Sequence, residues 1–267
     1  MNIEEWIRAW EKKVPLAIQE DWDRSGKQLG AFEGELTGIL FSLDLTQQAL
    51  QEAARKGYNL IFTHHPVFYE PLTHFLLEDP KNRLIYACLE KGISVYSSHT
   101  AFDFVDGGVN DVLAERCGLK EKEPLRKRNP EDPLYSFSKG MGKMGIISPM
   151  RLEEYARFLK EQLACQSVVY YGKKDELINK VACLGGGGMD FAQDALEAGC
   201  QVFVSSDIKY HQAQDLVQRG LHLIDLGHYA SEFPALRRAE EWSRKIHPDL
   251  DQEILSGGWE SVRYSIS

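Results

Sequence analysis

Tyr58-Asn59-Leu60-Ile61-Phe62-Thr63-His64-His65-Pro66-Val67-Phe68 is the stretch on which the reading of this chain turns. Leu60, Ile61 and Phe62 form a short apolar run of the kind a buried strand carries, and Pro66, which has no N–H for a sheet ladder, ends it. Neighbouring side chains on an extended strand point to opposite faces, so His64 and His65 serve one site only if the backbone turns there. The pair is then predicted at the carboxyl end of a strand, where open α/β sheets place ligands. An arbitrary His-His pair is more often one core and one surface histidine, so the surrounding chain has to decide.

On the amino-terminal side, Gly38 to Leu43 reads as a buried strand, and Thr46 caps a helix that runs through Lys56 and stops at Gly57. Beyond the histidines, a helix from about Lys81 to Lys91 ends at Gly92. The strand Ile93 to Ser97 follows and runs into Ser98-His99-Thr100-Ala101-Phe102-Asp103. Strand, helix, strand, helix, strand with short connections predicts a parallel sheet covered by helices. Ahead of it, Ile3, Trp6, Ile7 and Trp10 recur at helical spacing over Ile3 to Lys13, and Asp21 to Gly30 reads as a polar loop punctuated by glycine.

The charged, proline-bearing run Gly118 to Pro133 reads as a seam. Three divisions follow: a first α/β lobe over 1–120, a connecting segment of strands and a helix over 121–175, and a second α/β lobe over 176–267. In the second lobe, strands are expected at Val181 to Leu184, Gln201 to Ser205 and Leu221 to Asp225, with helices at Asp190 to Ala198, Lys209 to Arg219 and Ala230 to Lys245. The fold class is therefore α/β, with each lobe a helix-covered, mostly parallel sheet.

Bulk properties narrow the function. The chain has 267 residues, 43% of them hydrophobic, enough to bury a proper core, and no apolar run reaches the length of a membrane span. The amino terminus begins acidic and amphipathic rather than as a leader, so a cytoplasmic protein is expected. Five cysteines, none in a C-x-x-C, sit mostly in apolar segments and read as reduced core residues. A net charge of −9 argues against sequence-independent grip on nucleic acid or an anionic membrane, and the lone basic run Arg126-Lys127-Arg128 is bracketed by acids and prolines.

The second lobe's last strand runs into Leu226-Gly227-His228-Tyr229-Ala230-Ser231-Glu232. A helix starting near Tyr229 puts His228 and Glu232 one turn apart on one face. His64, His65 and Asp103 from the first lobe with His228 and Glu232 from the second make three imidazoles and two carboxylates, all at carboxyl ends of predicted strands. Such donors suit zinc, manganese, iron or cobalt, and five protein ligands fit two ions better than one catalytic zinc. Two divalent cations less two carboxylates leave about +2, so a small anionic substrate is expected, possession of a metal-bound hydroxide making hydrolysis the simplest chemistry. A metal-binding scaffold or regulator is the alternative.

His64-His65-Pro66, His99-Thr100-Ala101-Phe102-Asp103, Ser206-Asp207-Ile208-Lys209-Tyr210-His211 and Gly227-His228-Tyr229-Ala230-Ser231-Glu232, in this order, resemble the Nif-three-like family, whose members are commonly called GTP cyclohydrolase 1 type 2 homologs. The resemblance implies two α/β lobes facing one another and a dinuclear site with His64, His65, Asp103, His228 and Glu232 as ligands. It also implies a ring-shaped homohexamer and a nucleotide-like substrate, GTP cyclohydrolase activity being hydrolytic opening of the guanine imidazole ring with loss of formate. The chain departs from the family pattern at Arg24 and Lys27 in the amino-terminal loop, at Ala101-Phe102 and at Tyr210, and the usual carboxyl-terminal residues are not evident in Ser256 to Ser267.

Catalytic roles are expected for Glu232, for His99 as a ligand-orienting or proton-shuttling group, and for His211, which with Asp207 and Lys209 lies at a strand-to-helix junction. Gly185-Gly186-Gly187-Gly188 offers backbone N–H groups to a phosphate but spells neither G-x-G-x-x-G nor a P-loop, so a tight turn is the favoured reading. His74, His222 and His247 read as incidental.

Overall fold

The computed structural model of the chain describes residues 1–257; the rest of the tail noted above, and the end of the second lobe as drawn from sequence, lie outside the described residues. Helix α1 (Ile3–Lys13) begins with a capping box in which Asn2 accepts from the Glu5 amide, and it buries Ile3, Trp6, Ile7 and Trp10. Strand β1 (Gly26–Leu29) occupies part of the stretch Asp21 to Gly30 read as a loop, its backbone pairing antiparallel with Val95, Tyr96 and Ser97 although its sequence does not alternate. Strand β2 (Ile39–Ser42), helix α2 (Gln47–Lys56), strand β3 (Leu60–Thr63), helix α3 (Pro80–Glu90) and strand β4 (Ser94–Ser97) then follow as expected. Thr46 caps α2, and Gly57 ends it at φ +74°, a left-handed conformation that glycine adopts without strain.

After α4 (Thr100–Phe104) come α5 (Val109–Arg116), β5 (Lys120–Lys127), β6 (Gly140–Arg151), α6 (Leu152–Gln162), β7 (Val169–Tyr171) and β8 (Leu177–Cys183). The chain continues through α7 (Ala192–Glu197), β9 (Val202–Ser205), α8 (Tyr210–Gln218), β10 (His222–Asp225) and α9 (His228–Glu232). It closes with α10 (Ala235–Ile246) and β11 (Gln252–Ile254). The single helix expected over Ala230 to Lys245 is two, because Pro234 between α9 and α10 cannot continue the amide ladder.

Two compact units emerge among the described residues, Met1–Phe102 joined by the segment 236–257, and Asp103–Ala235. The run Gly118 to Pro133 is not a linker: half of it is β5, inside the second unit. Its charge is that of an edge strand with all but one of its side chains reaching at least partly to solvent, which is how natural sheets blunt an edge.

The first unit's sheet has the order β1-β4-β3-β2-β11, parallel except where β1 pairs antiparallel with β4. One face packs Leu40, Ile61 and Val95 against Ala49, Leu50 and Ala53 of α2 and Ile85 and Cys88 of α3. The other carries an aromatic cluster in which Trp10 meets Phe62 edge-on at 4.9 Å and Trp242 of α10 at 6.1 Å. The second unit's sheet, β5-β6-β8-β9-β10-β7, is parallel only among β8, β9 and β10, its outer pairs being antiparallel. Alternate residues separate cleanly to its two faces: Val202, Val204 and Ile224 pack with α5 and α6, while Phe203 and Leu223 pack with α7 and α8. Among the described residues no helix is long and apolar enough to cross a membrane.

Candidate metal centre

In the first unit the carboxyl ends of β2, β3 and β4 lie side by side, and the histidines leave from the last two. The His64 amide donates to the Ser42 carbonyl at 3.1 Å and the His65 amide to the Leu43 carbonyl at 2.9 Å, so both residues remain tied to β2 as the strand ends. The His65 carbonyl, which would continue the ladder, instead accepts from the Thr63 hydroxyl at 2.8 Å and the Ser97 hydroxyl at 3.1 Å. That capture turns the backbone ahead of Pro66 and brings the two rings together, with centroids 5.1 Å apart. His99 joins them from the end of β4, and one ligand atom of each of His64, His65 and His99 lies within 4.8 Å of the others.

Each of these rings is held at Nδ1 by an oxygen that can only accept. His64 Nδ1 meets the Ser98 carbonyl at 3.0 Å, His65 Nδ1 meets Asp44 Oδ1 at 2.8 Å, and His99 Nδ1 meets Asp23 Oδ1 at 3.1 Å. An oxygen acceptor at Nδ1 requires the proton there in a neutral imidazole and leaves the lone pair on Nε2, the tautomer and the anchoring that metal-binding histidines use. Asp23 is buried, which on its own raises a carboxyl pKa. Hydrogen bonds from His99, Thr100 and Ser25, with the pull of His99, outweigh that and hold it below the usual carboxylate range.

In the second unit α9 begins at Gly227, whose φ of +76° lets the chain turn from β10 into the helix. His228 and Glu232 stand one turn apart, with His228 Nε2 3.2 Å from Glu232 Oε2. Two donors of a single ion with bonds of about 2.0–2.2 Å stand at much this separation. His228 Nδ1 meets Asp207 Oδ2 at 2.6 Å, so the fourth imidazole is anchored like the other three. Asp207 sits at φ +56°, an uncommon conformation for a residue with a side chain and one that tends to be kept where a group must be aimed.

The four glycines lie beneath this cluster. The amides of Gly185, Gly186 and Gly188 are taken by Asn110 Oδ1 at 3.0 Å, Ser231 Oγ at 2.9 Å and Ser205 Oγ at 3.0 Å. Three of the four N–H groups thus point at the protein, and the loop is a tight turn rather than a phosphate cradle. Its small size gives Glu232 room: a Cβ on Gly186 would lie 2.3 Å from Glu232 Oε1. Asn110, 1% exposed, also donates to the Asp103 carbonyl at 3.0 Å, so one amide side chain fixes both the start of the loop and the backbone of Asp103. Asp103 and Glu232 are 8% and 3% exposed.

His64, His65 and His99 thus come together in one unit, and His228 with Glu232 in the other, where Asn110 ties the backbone of Asp103 to the glycine loop. His211 stands exposed on the first turn of α8, edge-on to Tyr210 at 5.2 Å. His222 is buried, 3.3 Å from Glu176, and His74 is exposed beside Thr73. The sequence reading missed Asp44, Asp23 and Asn110. Asp44 follows the strand preceding the histidines, and that position at a strand's carboxyl end was the available signal.

Imidazole nitrogens and carboxylate oxygens, with Nδ1 anchored and a glycine loop shaped to one carboxylate, are a donor set that divalent zinc, manganese, iron or cobalt fits. Known proteins share this frame from end to end. A GTP cyclohydrolase 1 type 2 homolog of Clostridium perfringens is 31% identical over 95% of this chain and 94% of its own, and one from Streptococcus pneumoniae is 33% identical over 86% and 85%. The crystal structure of a hypothetical protein from Staphylococcus aureus superposes with a TM-score of 0.90 at 27% identity, covering 99% of each chain. The model of the Duf34/NIF3 (NGG1p interacting factor 3) family matches residues 1–255, and the chain belongs to that family.

Proposed function

We propose that the protein is a cytoplasmic hydrolase dependent on two divalent metal ions, with His64, His65, Asp103, His228 and Glu232 as ligands and a small anionic, nucleotide-like heterocycle as substrate. The observation that carries this reading is that four imidazoles from two strand ends and one helix start are all anchored through Nδ1 to an oxygen acceptor. Bound divalent ions lower the pKa of a coordinated water to about 7 and polarise a substrate oxygen, which supplies a nucleophile at neutral pH. The residues' own parts follow from their surroundings. Asp44 and Asp207 hold His65 and His228 in the ligating tautomer, and Gly186 leaves the space in which the Glu232 carboxylate sits. His99, with its Nδ1 proton fixed on Asp23, can take up and return a proton at Nε2, and the exposed His211 is a second proton carrier.

Names of relatives make GTP the first substrate to test. Protein purified without added metal is analysed for bound ions, and formate release from GTP is compared between wild type and His228→Ala. Retained divalent metal and release abolished by the substitution are expected; absence of metal, or release unchanged in His228→Ala, removes the proposal. Self-association, with a homohexamer as the expected state, belongs to the same reading. It is supported by exposed apolar side chains at Tyr69, Leu72, Phe75, Leu76 and Leu77. Mass measurement in solution checks it, a monomer at micromolar concentration being the contrary result.

A further inference from the structure

A cavity of about 490 Å³ opens in the first unit directly beside the imidazole cluster, with His65 and Asp44 in its wall. That volume suits a small organic ligand. Its remaining lining divides by chemistry, with Tyr69 and Leu84 giving apolar surface and Lys81 and Arg83, from the first turn of α3, giving positive charge. With His65 neutral, two cations and the Asp44 carboxylate leave the wall at a formal +1. Asp44 is already engaged by His65 Nδ1 at 2.8 Å.

The two cations line one cavity in a chain of net charge −9. Most arginines elsewhere are matched to carboxylates, such as Arg55 with Glu52, Arg126 with Asp194 and Arg244 with Glu240. Neither Lys81 nor Arg83 makes an ion pair among the described residues. Arg83 is nevertheless held in place, its Nη1 donating to the Leu77 and Glu78 carbonyls at 2.8 Å each. Those bonds use the two N–H groups of Nη1 and leave the three on Nε and Nη2, the edge that meets phosphate or carboxylate in a paired geometry. Lys81 adds a point charge whose ammonium lies 5.7 Å from the centre of the Phe68 ring.

We infer that this cavity is the subsite for the phosphate-bearing part of the substrate, with Lys81 and Arg83 as specificity-determining residues that grip the anion while Tyr69 and Leu84 receive its apolar body. This rests on reading the neighbouring imidazoles as the place of reaction. It adds that binding strength comes from a region separate from the reacting atoms, so affinity for the anion and metal content are independently alterable.

The test measures binding of GTP and of guanosine, its uncharged counterpart, by titration calorimetry on the full-length protein as purified. Wild type, Lys81→Gln and Arg83→Gln are compared, with metal content determined for each. GTP affinity is expected to fall about tenfold in either variant, as loss of one charge-assisted hydrogen bond implies, with guanosine affinity and metal content unchanged. Arg83→Gln also frees the Leu77 and Glu78 carbonyls, so Lys81→Gln, whose side chain makes no hydrogen bond among the described residues, is the deciding variant. Equal GTP affinity in wild type and Lys81→Gln, an equal loss for guanosine, or no saturable GTP binding to wild type overturns the assignment. A protein lacking metal but binding GTP through Lys81 keeps the subsite and removes the metal centre; metal retained without dependence on Lys81 does the reverse.

Discussion

Gly186→Ala separates the cost of backbone strain from the cost of moving a ligand. The new Cβ would stand 2.3 Å from Glu232 Oε1, where ordinary contact begins near 3.4 Å, so the carboxylate must retreat by roughly 1 Å. Metal–ligand distances hold within about ±0.2 Å, so a displacement several times larger should weaken metal affinity about 10- to 100-fold. Gly186 also sits at φ +68°, where a side chain costs about 1–2 kcal/mol. For a chain of this size that lowers the melting temperature by about 2–4 °C per kcal/mol. Gly57→Ala is the control, because its φ is +74° and nothing lies within 4 Å of its Cβ. Both variants should melt lower, whereas only Gly186→Ala should lose zinc in competition with a chromophoric chelator. Zinc affinity of Gly186→Ala within twofold of wild type, beside a melting shift equal to that of Gly57→Ala, would refute the assignment of Glu232 as a ligand.

Asp207→Asn keeps a residue type tolerated at positive φ but can no longer act as a pure acceptor for His228 Nδ1, so metal affinity should fall about 10- to 100-fold with the melting temperature of the metal-free protein nearly unchanged. Asn110→Ala strands the Gly185 amide and the Asp103 carbonyl in a buried place, a loss of about 2–5 kcal/mol that urea unfolding should register. Because the Asp23 carboxyl is held below its unfolded value, its contribution is fully present above the ordinary carboxylate range. It is lost as pH falls from about 4 through the folded value, and metal-free Asp23→Asn should show a shallower acid limb in a stability–pH profile than wild type.

Helices such as α2 and α3 and the central strands were legible because local chemistry agrees with the fold at each, whereas α4 and α5, short and following the His99 segment, were not read. Thr46 and Gly57 mark the ends of α2, and the buried strands β2, β3 and β9 are continuous apolar runs. Three strands escaped. Gly26-Lys27-Gln28-Leu29 has too few apolar positions to alternate, β5 is charged because it is an edge, and β11 is three residues that pair with β2 only through the fold. The imidazoles were legible because their residue type is rare and strand ends are recognisable. Their anchors were not, since the acid that holds His65 is 21 residues away and the one that holds His99 is 76 away. Asp207 was visible as a polar residue at a junction, but its bond to His228, 21 residues on, exists only in the folded chain.

The discontinuity of the first unit has a consequence during synthesis. Strand β11 completes its sheet beside β2, and Trp242 packs on Trp10, yet both are translated after the whole of the second unit. At about 5–20 residues per second, the 133 residues from Asp103 to Ala235 keep the ribosome busy for about 7–27 s. Over that interval the apolar edge of β2 and the face of Trp10 wait without their partners, while the inserted unit has a continuous chain from which to fold. The unit that carries His64, His65 and His99 is therefore the last to mature on the ribosome, and the nascent chain is most in need of chaperone shelter there.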